Sequence, residues 1–224
     1  MERRFEREIE DLKEQLLLMG GRAEAIVLKS VESLKARDRA QAEQAIADDA
    51  MLDRLEIRIE ERCIRLLALQ QPMARDLRTI MAALKISNDL ERVGDHAVNI
   101  AQSTVRIVDQ PMLKPLVDIP RMATMAVGML HDALDAYVQN DGERARSLVR
   151  RDDEVDQLNH QVFRELVSYM IEDHSTITRA MELILVARNL ERVADLATNV
   201  AEEVVFIAEA RIIKHHAEEM VGDE

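Results

Sequence analysis

Eight carboxylates are spaced to do chemistry together. Glu91 and Asp95 lie four residues apart, and Glu191 and Asp195 repeat the interval. On a helix this spacing puts both side chains on one face, a turn apart. A second acidic line runs through Asp49, Asp53, Glu56 and Glu60. Its weaker echo is Asp152 and Asp156, with Asp153, Asn159 and His160 beside them. Neighbouring acids cost a helix only a few tenths of a kcal/mol per pair, so a solvated face carries them unaided. Where two such lines converge from adjacent helices they form an all-oxygen site suited to magnesium, calcium, manganese or iron. Spacing alone leaves both readings open: a hydrated acidic face with Arg92 and Arg192 as countercharges, or a cation site in each half.

The acids belong to a longer repeat. LERVGDHAVNIA (Leu90 to Ala101) returns 100 residues later as LERVADLATNVA (Leu190 to Ala201). A repeated core needs similar volumes at its apolar positions and tolerates swaps there. Here the polar Glu91/Glu191, Arg92/Arg192, Asp95/Asp195 and Asn99/Asn199 persist too, which indicates a duplicated surface task on a duplicated domain. The apolar stripe beside the motif is Leu90, Val93, Ala97, Ile100 and Thr104. Relative to Leu90, Glu91 is rotated by about 100° and Asp95 by about 140°, which places the acids on the outer flank of a bundle.

Apolar residues recur at three- and four-residue spacing along almost the whole chain, the period of amphipathic helices. The pattern predicts a first helix over Phe5 to Lys35, with Leu12, Leu16, Met19, Ala23 and Ile26 inward. Gly20 and Gly21 within it imply either close helix contact or a small kink. A second helix, capped by Asp38, runs without a break to about Leu69, and a third continues from Pro72 to about Val108. Pro111, Pro115 and Pro120 forbid a continuous helix over 110–120 and mark a linker. The plan then repeats: Arg121 to Gln139, a turn at Asn140-Asp141-Gly142, a helix to about Glu172, and a last helix to about Arg211 capped by Asp173, Ser175 or Thr176. The expected fold is all-α, two tandem antiparallel three-helix bundles over 1–109 and 121–212, followed by a frayed tail over 213–224.

Composition agrees. Six glycines, four prolines and 2% aromatics in 224 residues are too few for a turn-rich β protein, and the 47% hydrophobic fraction supplies a sizeable core. A formal net charge of −13 argues against nucleic acid and anionic lipid as general partners. No stretch has the ~20 apolar residues of a membrane span, and the charged beginning has no signal-peptide character, so a cytoplasmic protein is expected. Cys63, the lone cysteine, falls in the apolar stripe of the second helix and reads as a buried free thiol. No Glu is followed three residues later by His, the element that di-iron carboxylate bundles use. No glycine-rich phosphate loop is present. His96 has Leu196 as its counterpart, and His215 and His216 lie in the acidic tail.

At these residues the chain resembles the PhoU family of bacterial phosphate signalling. The resemblance rests on the doubled Glu-x-x-x-Asp motifs, on the Asp49/Asp53 and Asp152/Asp156 pairs, and on QPMARDLR (Gln71 to Arg78) and ATNVAEEV (Ala197 to Val204). Leu196 and Glu209-Ala210 depart from the family pattern. The resemblance implies two similar three-helix bundles and no catalysis. It also implies a cytoplasmic negative regulator of the phosphate-starvation response, often a homodimer, that links the phosphate ABC transporter ATPase to a sensor histidine kinase. Some members bind multinuclear metal clusters. Carried over by position, the ligands would be Asp49, Asp53, Glu91 and Asp95 in the first half and Asp152, Asp156, Glu191 and Asp195 in the second. The ions would be Fe, Mg, Mn, Zn or Ca, with no organic cofactor. A carboxylate-bridged metal enzyme and a metal-free helical scaffold are the alternatives.

Overall fold

Helical periodicity is realised throughout. The computed structural model describes residues 2–210 and contains no strand among them. The tail over 213–224, with His215 and His216, lies outside the described residues. Four long helices carry the architecture: α1 (Glu2–Ala36), α4 (Ala74–Ile107), α5 (Asp118–Gln139) and α8 (Ile177–Glu209). Shorter helices flank them: α2 (Arg39–Asp48) and α3 (Ala50–Gln70) in the first half, α6 (Gly142–Leu148) and α7 (Asp152–Glu172) in the second. A 3-10 turn, His174–Thr176, precedes α8.

Each half is a three-helix unit in which the flanking layer is broken in two. The two units join through their long helices, α4 along α8 and α1 along α5, so these four build a shared central bundle. The predicted stripe Leu90, Val93, Ala97, Ile100 and Thr104 is buried, as are Leu52, Leu55, Ile59, Cys63 and Leu66. Burial pushes the Cys63 thiol up to about 12, which leaves it a protonated core residue. Three polar contacts tie α4 to α8. Lys85 Nζ donates to both carboxylate oxygens of Glu203 at 3.0 Å, Arg106 Nη1 donates to Glu182 at 3.1 Å, and His96 Nδ1 lies 2.8 Å from Asn189 Oδ1.

Several boundaries differ from the sequence reading, each for a local reason. The second helix is not continuous: it breaks at Asp49, which ends α2 and begins α3. The fifth breaks likewise, with Arg150 and Arg151 in a turn before α7. Pro72 is not in the first turn of α4. Gln71, at φ 46°, ends α3 in the left-handed region, and α4 starts at Ala74. α5 starts three residues earlier than expected, at Asp118, so Pro120 occupies its first turn, where the missing N–H has no intrahelical role. Gly20 serves close contact: a Cβ there would fall 2.1 Å from Leu134 Cδ1 of α5, while α1 runs on unbroken. The segment before α5 is tied down by Arg37, which donates to the carbonyls of Val108 and Gln110, and by Arg179, which donates to the Pro111 carbonyl at 3.0 Å.

Candidate functional site

The helix breaks place the acids. In the first half Lys29 of α1 holds Asp48 at 2.6 Å, pinning the end of α2. Asp49 follows at the start of α3 and turns toward α4. Its Oδ1 packs against Gly94, where a Cβ would fall 2.4 Å from that oxygen and 2.5 Å from Leu52 Cδ1. In the second half Asp132 of α5 takes the pinning role, accepting from Arg151 at 2.5 Å and Arg144 at 2.8 Å. α7 then opens on Asp152, Asp153 and Glu154 in its first turn. Carboxylates at a helix N-terminus are favoured by the positive end of the helix dipole, which offsets part of the cost of crowding them.

The structure brings the predicted pairs together. Burial, and then the charges of Asp95, Glu56, Asp53 and Asp49, push Glu91 up to about 7. Burial together with Asp53 and Asp95 pushes Asp49 up to about 6. In the second half burial, Asp195, Asp156, Glu191 and Asp153 raise Asp152 to about 7. Asp156 and Glu191 move upward for the same reasons, with His160 and Arg192 partly opposing the rise of Asp156. All eight acids therefore belong to two clusters, α3 with α4 and α7 with α8. Glu56 and Asp153 join them, whereas Glu60 is exposed and is not among the charges acting on Glu91.

Three buried carboxylate oxygens have no hydrogen-bond partner: Asp49 Oδ1, Asp152 Oδ1 and Glu191 Oε2. Such orphaned acceptors are destabilising unless something neutralises them. An oxygen-only donor set with acceptors to spare fits a hard cation. Among the described residues, no three acidic, histidine or cysteine side chains are posed as a ready metal shell. Binding an ion there takes side-chain rotation of groups already within electrostatic reach of each other.

The halves are not equivalent. Arg192 Nη1 bonds Asp195 at 2.7 Å and its Nε lies 3.5 Å from Glu191, so the second cluster carries its own countercharge. Arg92 instead turns to Asp89 at 3.4 Å, and Asn88 donates to Glu56 at 3.3 Å. Sequence reasoning offered both arginines as countercharges; only Arg192 fills that role. It also passed over Gly94. The only signal was the Gly94/Ala194 difference inside an otherwise repeated string.

Two tandem helical units, each with an acidic groove between its flanking and central helices, define a duplicated helical-bundle protein of adaptor type. The PhoU domain matches residues 16–104 and 119–204, and the chain belongs to the PhoU family. A relative from Aquifex aeolicus, a phosphate-specific transport system accessory protein PhoU homolog, is 43% identical over 93% of this chain and 95% of its own. A relative of the same description from Clostridium acetobutylicum is 38% identical over 91% of this chain and 93% of its own. The crystal structure of PhoU from Pseudomonas aeruginosa superposes with a TM-score of 0.89 at 35% identity, covering 92% of this chain and 100% of that one. The phosphate transport system regulatory protein PhoU from Streptococcus pneumoniae gives 0.87 at 26% identity, covering 94% and 99%. No described helix is long and apolar enough to cross a membrane.

Proposed function

We propose that this protein is a cytoplasmic negative regulator of phosphate uptake and of the phosphate-starvation response. In this reading it is a homodimeric adaptor between the ATPase of the phosphate ABC transporter and a sensor histidine kinase. The observation that carries the phosphate role is likeness over nearly the full chain to proteins described as phosphate-specific transport system accessory proteins. The family is one of accessory and regulatory proteins, and the acids are better suited to holding an ion than to turning over a substrate.

The twin acidic grooves are the proposed control element. Asp49, Asp53, Glu91 and Asp95 hold one cation or cluster, and Asp152, Asp156, Glu191 and Asp195 the other. The set accepts Fe, Mg, Mn, Zn or Ca, with availability deciding among them. An ion neutralises the repulsion that raises Glu91 and Asp152, draws α3 toward α4 and α7 toward α8, and fixes the groove surface that a partner meets.

The test is genetic. Deleting the gene in its host should derepress phosphate-starvation genes in phosphate-rich medium, and the wild-type gene should restore repression. Unchanged expression in the deletion strain overturns the regulatory reading. Full restoration by an Asp49→Asn, Asp152→Asn double variant removes the cations from the mechanism and leaves the adaptor role standing.

A further inference from the structure

Away from the acidic grooves, a cavity of about 210 Å³ opens where the two halves meet. It is lined by Lys13 of α1, by Arg75, Asp76 and Thr79 at the start of α4, and by Tyr137 and Asn140 at the end of α5. Tyr137 is 2% exposed, yet its hydroxyl has no hydrogen-bond partner. The Lys13 ammonium lies 6.0 Å from the centre of the Tyr137 ring. Among the described residues neither Lys13 nor Arg75 forms an ion pair. The first turn of α4 contributes N–H groups that no helical carbonyl can reach, the arrangement that attracts anions. An aromatic hydroxyl, two unpaired cations and a helix start thus face one space, in a chain whose net charge is −13.

Water would satisfy the hydroxyl but would leave two like charges on one small cavity. A tetrahedral oxyanion satisfies all of them. Asp76 refines the choice, because a carboxylate repels a fully deprotonated anion such as sulfate but accepts a hydrogen bond from an anion that keeps a proton. We propose that this cavity binds inorganic hydrogen phosphate. Lys13 and Arg75 neutralise its charge, Tyr137 donates its hydroxyl, and Asp76 accepts the P–OH proton. Thr79, whose hydroxyl already donates to the Arg75 carbonyl at 3.0 Å, is left as an acceptor. The inference rests on the cavity alone and not on the regulatory reading. Because the site joins α1 and α4 of one half to α5 of the other, occupancy would link phosphate to the packing between halves.

The experiment is calorimetric titration of the full chain, stripped of divalent cations with a chelator, with inorganic phosphate and separately with sulfate. Stripping prevents phosphate from binding through an ion in the acidic grooves. Saturable phosphate binding is expected, with sulfate weaker by about tenfold or more. Lys13→Met and Tyr137→Phe should each weaken phosphate by about tenfold, as loss of a charge-assisted or buried bond does. Tyr137→Phe keeps the ring packing, and an unchanged unfolding midpoint confirms its fold. Asp76→Asn should bring phosphate and sulfate to within about threefold of each other. No saturable binding below about 10 mM, binding unaffected by both substitutions, or binding that requires added divalent cation overturns the proposal. Equal wild-type affinity for sulfate also overturns it, by leaving an unselective anion site.

Discussion

Asp49→Asn should make the cation-free protein more stable at pH 8, although it removes a charge from the candidate site. The Asp49 carboxyl is raised from 3.8 to about 6 by burial and by Asp53 and Asp95. Between those values the folded state keeps a proton that the unfolded chain has released. Stability therefore falls as pH rises through this window, and the loss is complete above it. At ~1.4 kcal/mol per pH unit the gross penalty is ~3 kcal/mol. Asp49 is only half-buried, so solvent screening reduces the net figure to about 1–2 kcal/mol. For a chain of this size that is a rise of about 2–8 °C in Tm. The assay is thermal unfolding in chelator at pH 4 and pH 8, followed by circular dichroism. The variant should match the wild type at pH 4, where Asp49 is near the range in which it protonates in both states, and exceed it at pH 8. A variant no more stable at pH 8, or one with the same offset at both pH values, refutes the claim that Asp49 is held charged against its surroundings. Glu91 and Asp152, both pushed up to about 7, should extend the wild-type decline toward neutral pH.

Further outcomes follow from the same geometry. Gly94→Ala sets a Cβ 2.4 Å from Asp49 Oδ1. Overpacking costs about 1–3 kcal/mol and the gain in helix propensity returns at most ~1, so a net loss of up to ~2 kcal/mol is expected by denaturant unfolding. Arg192→Gln frees Asp195 and Glu191 from their ion pairs, and should strengthen Mn²⁺ binding in the second half while weakening the cation-free fold; weaker Mn²⁺ binding would show that Arg192 does not compete with the ion. Lys85→Met takes two 3.0 Å bonds from Glu203, a carboxylate 2% exposed. The expected cost is about 2 kcal/mol in equilibrium unfolding, below the full value for a buried pair because Lys85 itself is half-exposed.

Much of the frame could be read from residue spacing. The stripe through Leu90, Val93, Ala97, Ile100 and Thr104 needed only the helical period, because burial of one face decides it. The grouping of the acids was also legible: i, i+4 pairs on consecutive helices of a short-looped bundle have few other places to go. The breaks at Asp49 and at Arg150-Arg151 were not. Neither holds a glycine or proline. Each is pinned from another helix, by Lys29 on Asp48 and by Asp132 on Arg151, and single-sequence periodicity carries no trace of such tertiary contacts. Three acids in a row at Asp152, Asp153 and Glu154 did mark a helix start. The shared four-helix centre was hidden for a related reason. α8 buries Val186, Val193 and Val200 but also Leu196, Val204 and Val205, so its apolar surface faces two partners and blurs a single-stripe reading. The pseudo-equivalent pair His96 and Leu196 shows how far the halves have diverged where they meet, one bonded to Asn189 and the other packed as a hydrocarbon.

The central claim is that each half closes an acidic groove around a cation. Equilibrium Mn²⁺ titration read by electron paramagnetic resonance tests it most directly, on the wild type and on Asp49→Asn/Asp95→Asn and Asp152→Asn/Asp195→Asn double variants. The account predicts saturable binding in both halves, tighter in the first, where no arginine competes, with each double variant losing its own half and keeping the other. Manganese binding that survives both pairs of substitutions, or none at all in the wild type, would contradict it.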